Sequence, residues 1–325
     1  DGRYTLQAKI QSGNSFSIIT MPKKFPSDVL KNKKLNIGFD PKLYTEYTLK
    51  RLFNKSHCNL IPINKNLINE IKVNKYVKKL NKFYKISDKY TGLSSKNKVK
   101  KLTKILGKNK IDFQFVSSAE NIAWLLNLRG ADSEFSPIPN SYLILNSKNK
   151  VYFFCDLKKI DNKIKKNFKN IKIINIKYID LFLMNVKNKI IQLDNVSCSI
   201  FFKSIIKKNN KVVEKQDPIY FFKSIKNKTE IQNTIKTHIR DGAALTKFLF
   251  WVKNNFKIKK ITEISAQKKL LKFRKNNKTF KSLSFPTISG SGPNGAIIHY
   301  KADKKSNRLL KKGDIYLVDS GGQYN

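Results

Sequence analysis

Val99-Lys-Lys-Leu102-Thr-Lys-Ile105-Leu106-Gly107, followed by Ile111-Asp-Phe113-Gln-Phe115, is the stretch that decides the fold class. The apolar residues at 99, 102, 105 and 106 recur at helical spacing, and Gly107 is expected to stop the helix. Ile111, Phe113 and Phe115 alternate with polar residues, which is the period of a strand. Ser117-Ser-Ala-Glu120 has the form of a capping box and opens a short helix expected to run through Trp124. Tyr142–Leu145 and Val151–Cys155 are apolar runs separated by a polar turn, the pattern of a hairpin. Helix, strand, helix and hairpin in succession predict a mixed α/β domain.

Toward the N-terminus, Tyr4, Leu6, Ala8 and Ile10 alternate, as do Phe16 and Ile18, and Leu35-Asn-Ile-Gly-Phe-Asp40 reads as a strand ending in a turn at Pro41. A Lys-rich stretch near 73–92 reads as a linker. Toward the C-terminus, Asn227-Lys-Thr-Glu230 resembles a capping box. Ile231, Ile235, Ile239, Leu245, Phe248, Leu249 and Val252 then carry a helix of about 25 residues at this spacing. Gly242-Ala-Ala244 in its middle is expected to let another element approach. A second helix follows Thr262, with Ile264, Leu270, Leu271 and Phe273 on its apolar face, and strands are expected at Ala296–Tyr300 and Ile315–Asp319. Three domains result: 1–72, 73–226 and 227–325.

The chain has 325 residues, 40% apolar and 11% aromatic, which is enough to bury cores and excludes wholesale disorder. No apolar run approaches the roughly 18 residues of a membrane span. Cys58, Cys155 and Cys198 show no paired spacing, so neither a disulfide framework nor a zinc ribbon is expected, and a reducing, cytoplasmic setting follows. The formal charge is +45, yet Arg stands only at 3, 51, 129, 240, 274 and 308, and no Lys run exceeds two. Nucleic-acid binders lean on Arg for two-point contacts. The excess of Lys, Asn and Ile reads as compositional bias, with a polyanion partner as the alternative. The sequence opens on Asp1 without Met and closes just after an expected strand, so both ends read as cut.

Gly290-Ser-Gly-Pro-Asn-Gly295 matches the dinucleotide fingerprint by letter. That motif needs a helix starting inside it to face a pyrophosphate, and the following Ala296-Ile-Ile-His-Tyr300 reads as strand. A tight connection bringing backbone close to a ligand or another strand is the better reading. His299 within that segment is either a packed imidazole or a functional group. Asp319, where Ile315-Tyr-Leu-Val-Asp319 meets Ser320-Gly-Gly, either ligates a metal or caps a turn. Arg3 is either solvated or ligand-binding.

Taken together, several blocks resemble the aminopeptidase P family, the Xaa-Pro aminopeptidases of pita-bread fold. They are Ser284-Phe-Pro-Thr-Ile-Ser289, Gly292-Pro-Asn-Gly-Ala-Ile-Ile-His-Tyr300 and Asp314-Ile-Tyr-Leu-Val-Asp-Ser-Gly-Gly-Gln-Tyr324. His238-Ile-Arg-Asp-Gly-Ala-Ala-Leu245, Thr262-Glu-Ile-Ser265, Glu120-Asn-Ile-Ala-Trp-Leu-Leu-Asn-Leu-Arg-Gly-Ala-Asp132 and Asp1-Gly-Arg-Tyr4 extend the match along the chain. The order resembles the three-domain cytoplasmic branch. The resemblance implies two creatinase-N-like mixed α/β domains followed by the start of a pita-bread catalytic domain. It implies that Asp319 is one ligand of a two-manganese centre, that His299 is a catalytic and substrate-binding histidine, and that Arg3 binds peptide. It further implies a homodimer that acts on peptides with an N-terminal Xaa-Pro, with no specific nucleic acid and no membrane. The remaining metal ligands of that pattern are absent from these residues, so the chain alone is expected to be inactive. The alternative is a non-catalytic relative or a basic polyanion-binding protein.

Overall fold

The computed structural model describes residues 4–71 and 80–325, and they separate into two compact units. One unit is Lys24–Lys226; the other joins the N-terminal stretch up to Lys23 to Asn227–Asn325.

In the unit 24–226, β1 (Asn36–Phe39) and β2 (Asn59–Pro62) form a parallel pair. The next strands are β3 (Tyr84–Lys85), β4 (Phe113–Val116), β5 (Leu128–Arg129), β6 (Ser141–Asn146), β7 (Val151–Cys155), β8 (Ile171–Asn175), β9 (Ile190–Leu193) and β10 (Lys211–Glu214). Six of them make one mixed sheet in the order β10-β9-β4-β6-β7-β8. The expected hairpin lies within it: β6 and β7 pair antiparallel with Tyr142 opposite Phe154. Asn146 Oδ1 accepts from the Lys148 and Lys150 amides, and Asn149 takes a left-handed φ of 63°, which closes the turn.

Both faces of this sheet are covered, which is why its strands carry near-continuous apolar runs. Leu143, Leu145 and Phe153 face a core with Leu102, Leu106, Ile122 and Leu125. The alternate residues Ile144 and Phe154 join Phe115 and Ile191 in a second core with Leu183, Phe202 and Ile206. Period-2 side-chain alternation sends successive residues to opposite cores.

Several local expectations change. The helix Ser95–Lys108 runs through Gly107, and the left-handed residue comes later, at Lys110 with φ 54°. The N-cap of Ala119–Leu126 is Ser118 rather than Ser117, and neither hydroxyl caps. Ser117 Oγ bonds Ser197 Oγ at 2.9 Å and Ser118 Oγ bonds the Tyr220 hydroxyl at 3.0 Å, so tertiary partners took both side chains. The expected linker lies partly outside the described residues. Its described part is structured: Phe83 is buried, β3 pairs with β5, and Asp88–Thr91 is helical. The alternation from Tyr4 to Ile10 is overridden by a helix, Thr5–Ser12.

Asp217, only 2% exposed, caps the helix Pro218–Ser224 by accepting from the Ile219 amide, and also accepts from Asn121 Nδ2 at 2.8 Å. Burial raises its carboxyl to about 6 against the lowering effect of those hydrogen bonds, and the nearby Asp194 adds to the rise. The folded chain therefore holds this proton more tightly than the unfolded chain. The stability gained is complete below the unfolded pKa near 4 and is lost as pH climbs through about 6. Asp217→Asn should abolish that loss. Its amide can donate to Asn121 Oδ1, which is buried without a partner, once the Asn121 amide turns over. Relative to wild type, the variant should gain about 2 kcal/mol between about pH 4.5 and about pH 7.5 in urea melts. Parallel curves for the two proteins would contradict the assignment.

In the other unit, Asn227 and Glu230 form the expected reciprocal cap of a long helix, Lys228–Asn255. Of the expected contact point Gly242-Ala-Ala244, Gly242 meets no described atom within 4 Å, and close contact falls at the buried Ala244 and Phe248. Ile231, Ile235 and Ile239 are exposed. Thr262 and Ser265 cap the helix Glu263–Lys275. Ala266 and Leu270 of that helix pack with Phe248, Ile261 and Leu310 to form the core. Two antiparallel ribbons complete the unit: β11 (Phe280–Leu283) with β14 (Gly322–Tyr324), and β12 (Ile288–Ser291) with β13 (Tyr316–Asp319).

Candidate active site

Asp319 is the last residue of β13 and lies opposite Ile288 of β12. Its carboxyl is exposed and takes no hydrogen bond from any described residue. The chain then passes through Ser320-Gly321 into β14, and this crossing explains the glycines. A Cβ on Gly321 would meet Ser284 Oγ at 2.3 Å, and one on Gly322 would meet the Tyr324 ring at 2.8 Å. The strand end is thus pinned while Asp319 faces outward.

Past β12 the chain departs from expectation. Gly292–Ala296 is a 3₁₀ turn, and Ile297–Tyr300 continues as a bend rather than a strand. Two features override the β-rich letters. Gly290 and Gly295 touch backbone to backbone, where a Cβ on Gly290 would meet Gly295 Cα at 2.9 Å. Tyr300 is also drawn inward: its hydroxyl donates to Glu263 Oε2 at 2.8 Å and receives Asn294 Nδ2 at 2.8 Å. The tight-connection reading of the glycine motif stands. The helical turn inside it is five residues long and is followed by a bend, so it does not supply a dinucleotide site.

Glu263 organises this loop and was hidden from sequence reading. An acidic residue at the start of a helix reads as a dipole partner, yet Glu263 is fully buried. Oε1 accepts from the Ser291 amide at 2.7 Å and Asn294 Nδ2 at 3.0 Å; Oε2 accepts from Tyr300 and from the Arg308 amide at 3.0 Å. Burial raises the Tyr300 hydroxyl to about 12, and the Glu263 hydrogen bond and charge add to the rise.

His299, next to the anchored Tyr300, is displayed to solvent in a left-handed backbone conformation with φ 58°. Its Nδ1 lies 2.7 Å from the hydroxyl of Tyr4, a residue quoted in sequence but given no role there. His299 and Asp319 belong to one unit but share no hydrogen bond or ion pair: the Tyr4 hydroxyl is the partner of His299, and Asp319 has no hydrogen-bond partner among the described residues. Arg3 lies outside the described residues.

A second polar network ties the helices Lys228–Asn255 and Glu263–Lys275 to β14. Arg274, 1% exposed, grips Asp241 with Nε–Oδ1 at 2.8 Å and Nη2–Oδ2 at 2.9 Å, and the Tyr324 hydroxyl donates to the same carboxyl. Burial alone would raise the Asp241 carboxyl; the Arg274 and Tyr324 bonds and the Arg274 charge outweigh it and hold the group below the usual range.

As a metal ligand, Asp319 fits one position: an open carboxyl on a pinned strand end. Among the described residues no three His, Cys, Asp or Glu side chains converge, so these residues do not by themselves complete a metal cage.

Comparison with known proteins gives the family. Residues 74–230 match the Creatinase/Prolidase N-terminal domain, and residues 232–325 match Metallopeptidase family M24. The chain is 34% identical to Xaa-Pro aminopeptidase 1 of Dictyostelium discoideum, over 100% of this chain and 55% of that protein. It is 32% identical to a Drosophila melanogaster Xaa-Pro aminopeptidase, again over 100% and 55%. The chain thus spans about half the length of the curated relatives it matches. Among solved structures it is similar to the X-prolyl aminopeptidase of Caenorhabditis elegans, described as a cytosolic enzyme with a di-nuclear active site. The TM-score is 0.90 at 27% identity, covering 100% of this chain and 56% of that one. With creatinase-type sequence in its middle and the opening of an M24 peptidase domain after it, the chain belongs to the aminopeptidase P family of metallopeptidases.

Proposed function

We propose that the protein to which this chain belongs is a metal-dependent exopeptidase that releases the first residue from peptides with proline second. The observation that carries the reading is the likeness to the C. elegans enzyme over the whole chain at TM-score 0.90. In this reading Asp319 is one ligand of a two-manganese centre, and His299 and Arg3 bind peptide. Metal ions of such a centre would make a bound water nucleophilic near neutral pH. His299, exposed and held at Nδ1, would present Nε2 to the carbonyl of the first residue, where a donor stabilises negative charge as it develops. The prolyl nitrogen carries no hydrogen, so recognition must rest on the ring, the free amino terminus and that carbonyl.

The protein is further proposed to be a cytoplasmic homodimer without a specific nucleic-acid partner. In support, Cys58, Cys155 and Cys198 are all free thiols, and burial raises Cys155 and Cys198 to about 12, where they stay protonated. Among the described residues no helix is long and apolar enough to cross a membrane. The 325-residue chain alone is proposed to be inactive.

The test is hydrolysis of an Xaa-Pro peptide by the protein expressed at the length of its relatives, with and without manganese. Release of the first residue, dependent on metal and absent from the 325-residue chain, is expected. A full-length protein that binds metal but leaves the peptide intact would favour the non-catalytic reading.

A further inference from the structure

His299 has one side-chain partner among the described residues. The Tyr4 hydroxyl sits 2.7 Å from Nδ1, with the two rings 5.1 Å apart and tilted by 59°. These residues are 295 positions apart in sequence and meet inside one compact unit. The backbone side of the arrangement is equally fixed. Tyr300 is buried and bonded to Glu263, Asn294 and Ser306, so its neighbour His299 projects from an anchored bend.

We infer that Tyr4 is a positioning residue for His299, donating its hydroxyl proton to Nδ1 and thereby keeping the ring proton on Nε2. A neutral imidazole has one donor and one acceptor nitrogen, and the bond made by one sets the state of the other. With Tyr4 donating, Nδ1 is the acceptor, and Nε2–H is left facing outward as a hydrogen-bond donor. The opposite arrangement would leave a bare Nε2 lone pair, which repels a carbonyl oxygen. The inference rests on the reading of His299 as a peptide-binding residue and adds what fixes its tautomer. Beside the role proposed for Arg3, it gives Tyr4 of the N-terminal segment a role at a site whose other proposed residues, His299 and Asp319, lie after 227.

The test needs no metal and no turnover. The chain has only three histidines, His57, His238 and His299, so nitrogen-15 spectra of the 325-residue protein at about pH 8, where ordinary histidine is neutral, resolve each ring. Wild-type His299 should be predominantly the Nε2–H tautomer. Tyr4→Phe keeps the ring contact and removes the hydroxyl. It should shift the His299 tautomer ratio about fivefold, the worth of one ordinary hydrogen bond, with His57 and His238 unmoved. A wild-type His299 dominated by the Nδ1–H form would overturn the inference, even if the variant failed to fold. So would an unchanged ratio in Tyr4→Phe with the other two rings unmoved. If the tautomer behaves as stated but His299→Ala leaves the full-length peptidase fully active, the role of His299 in peptide binding fails while the Tyr4 contact stands.

Discussion

Glu263→Ala should lower the stability of the unit containing residues 227–325 by about 4 kcal/mol, a loss at the large end for single substitutions. The side chain is fully buried and accepts from two backbone amides, the Asn294 amide and the Tyr300 hydroxyl. Each buried donor left without an acceptor costs about 1–3 kcal/mol, and collapse of the loop recovers part of the sum. Tyr300 and Asn294 keep each other and Ser306, which limits the loss on that side. The Ser291 and Arg308 amides lose the acceptor that Glu263 supplied. Glu263→Gln tests the chemistry more finely. It preserves shape, but whichever way the amide turns, its NH₂ faces a backbone N–H, so a drop of about 2 kcal/mol is expected. Trp251 packs against this core and Trp124 lies in the other unit, so urea unfolding followed by fluorescence in a Trp124→Phe background reports the relevant transition. An alanine variant within about 1 kcal/mol of its parent would mean that the Glu263 network does not hold the loop.

That network also shows where sequence reading stops. The hairpin β6–β7, the helix carrying Val99 to Leu106, the helix capped at Asn227 and the helix after Thr262 are local: the apolar spacing, and at Asn227 the cap residues, lie within a few positions of each other. What failed was decided by distant partners. The Ala296–Tyr300 segment has strand-forming letters, yet Tyr300 is bonded to Glu263, 37 residues earlier, and the chain bends to reach it. Tyr4 and Leu6 alternate with polar residues as a strand would, but a helix over Thr5–Ser12 places Tyr4 against His299. Of the small residues Gly242-Ala-Ala244, read together as a contact point, Ala244 is buried while Gly242 meets no described atom within 4 Å, because small size permits an approach without fixing which residue takes it. Of the candidate site, Asp319 was legible as a carboxyl where a strand meets glycines, one that could ligate a metal or cap a turn, while the Tyr4–His299 contact was not. Its two residues are separated by nearly the whole chain.

Asp319→Ala should leave folding almost untouched and, in the protein expressed at the length of its relatives, abolish release of the first residue from an Xaa-Pro peptide. The two halves of this expectation come from the same observation. The carboxyl is exposed at the end of β13, and no described residue donates to it, so its removal breaks no internal bond and should change stability by no more than about 0.5 kcal/mol. The glycines at 321 and 322 leave room for the Ser284 and Tyr324 side chains packed against that strand end, while the carboxyl itself makes no bond that serves the fold. If that carboxyl holds a metal, replacing it removes a first-hand ligand. Activity should then fall at least about a thousandfold, roughly 4 kcal/mol of barrier. Calorimetric titration with manganese supplies the second readout: the variant should bind more weakly or with one equivalent fewer than its parent. Ser320→Ala, one position on, keeps the carboxyl and serves as a control that should retain activity. Full activity and unchanged manganese binding in Asp319→Ala would show that the metal is held elsewhere. A large loss of stability would show instead that the carboxyl is a structural group with partners in solution that the folded arrangement described above does not contain.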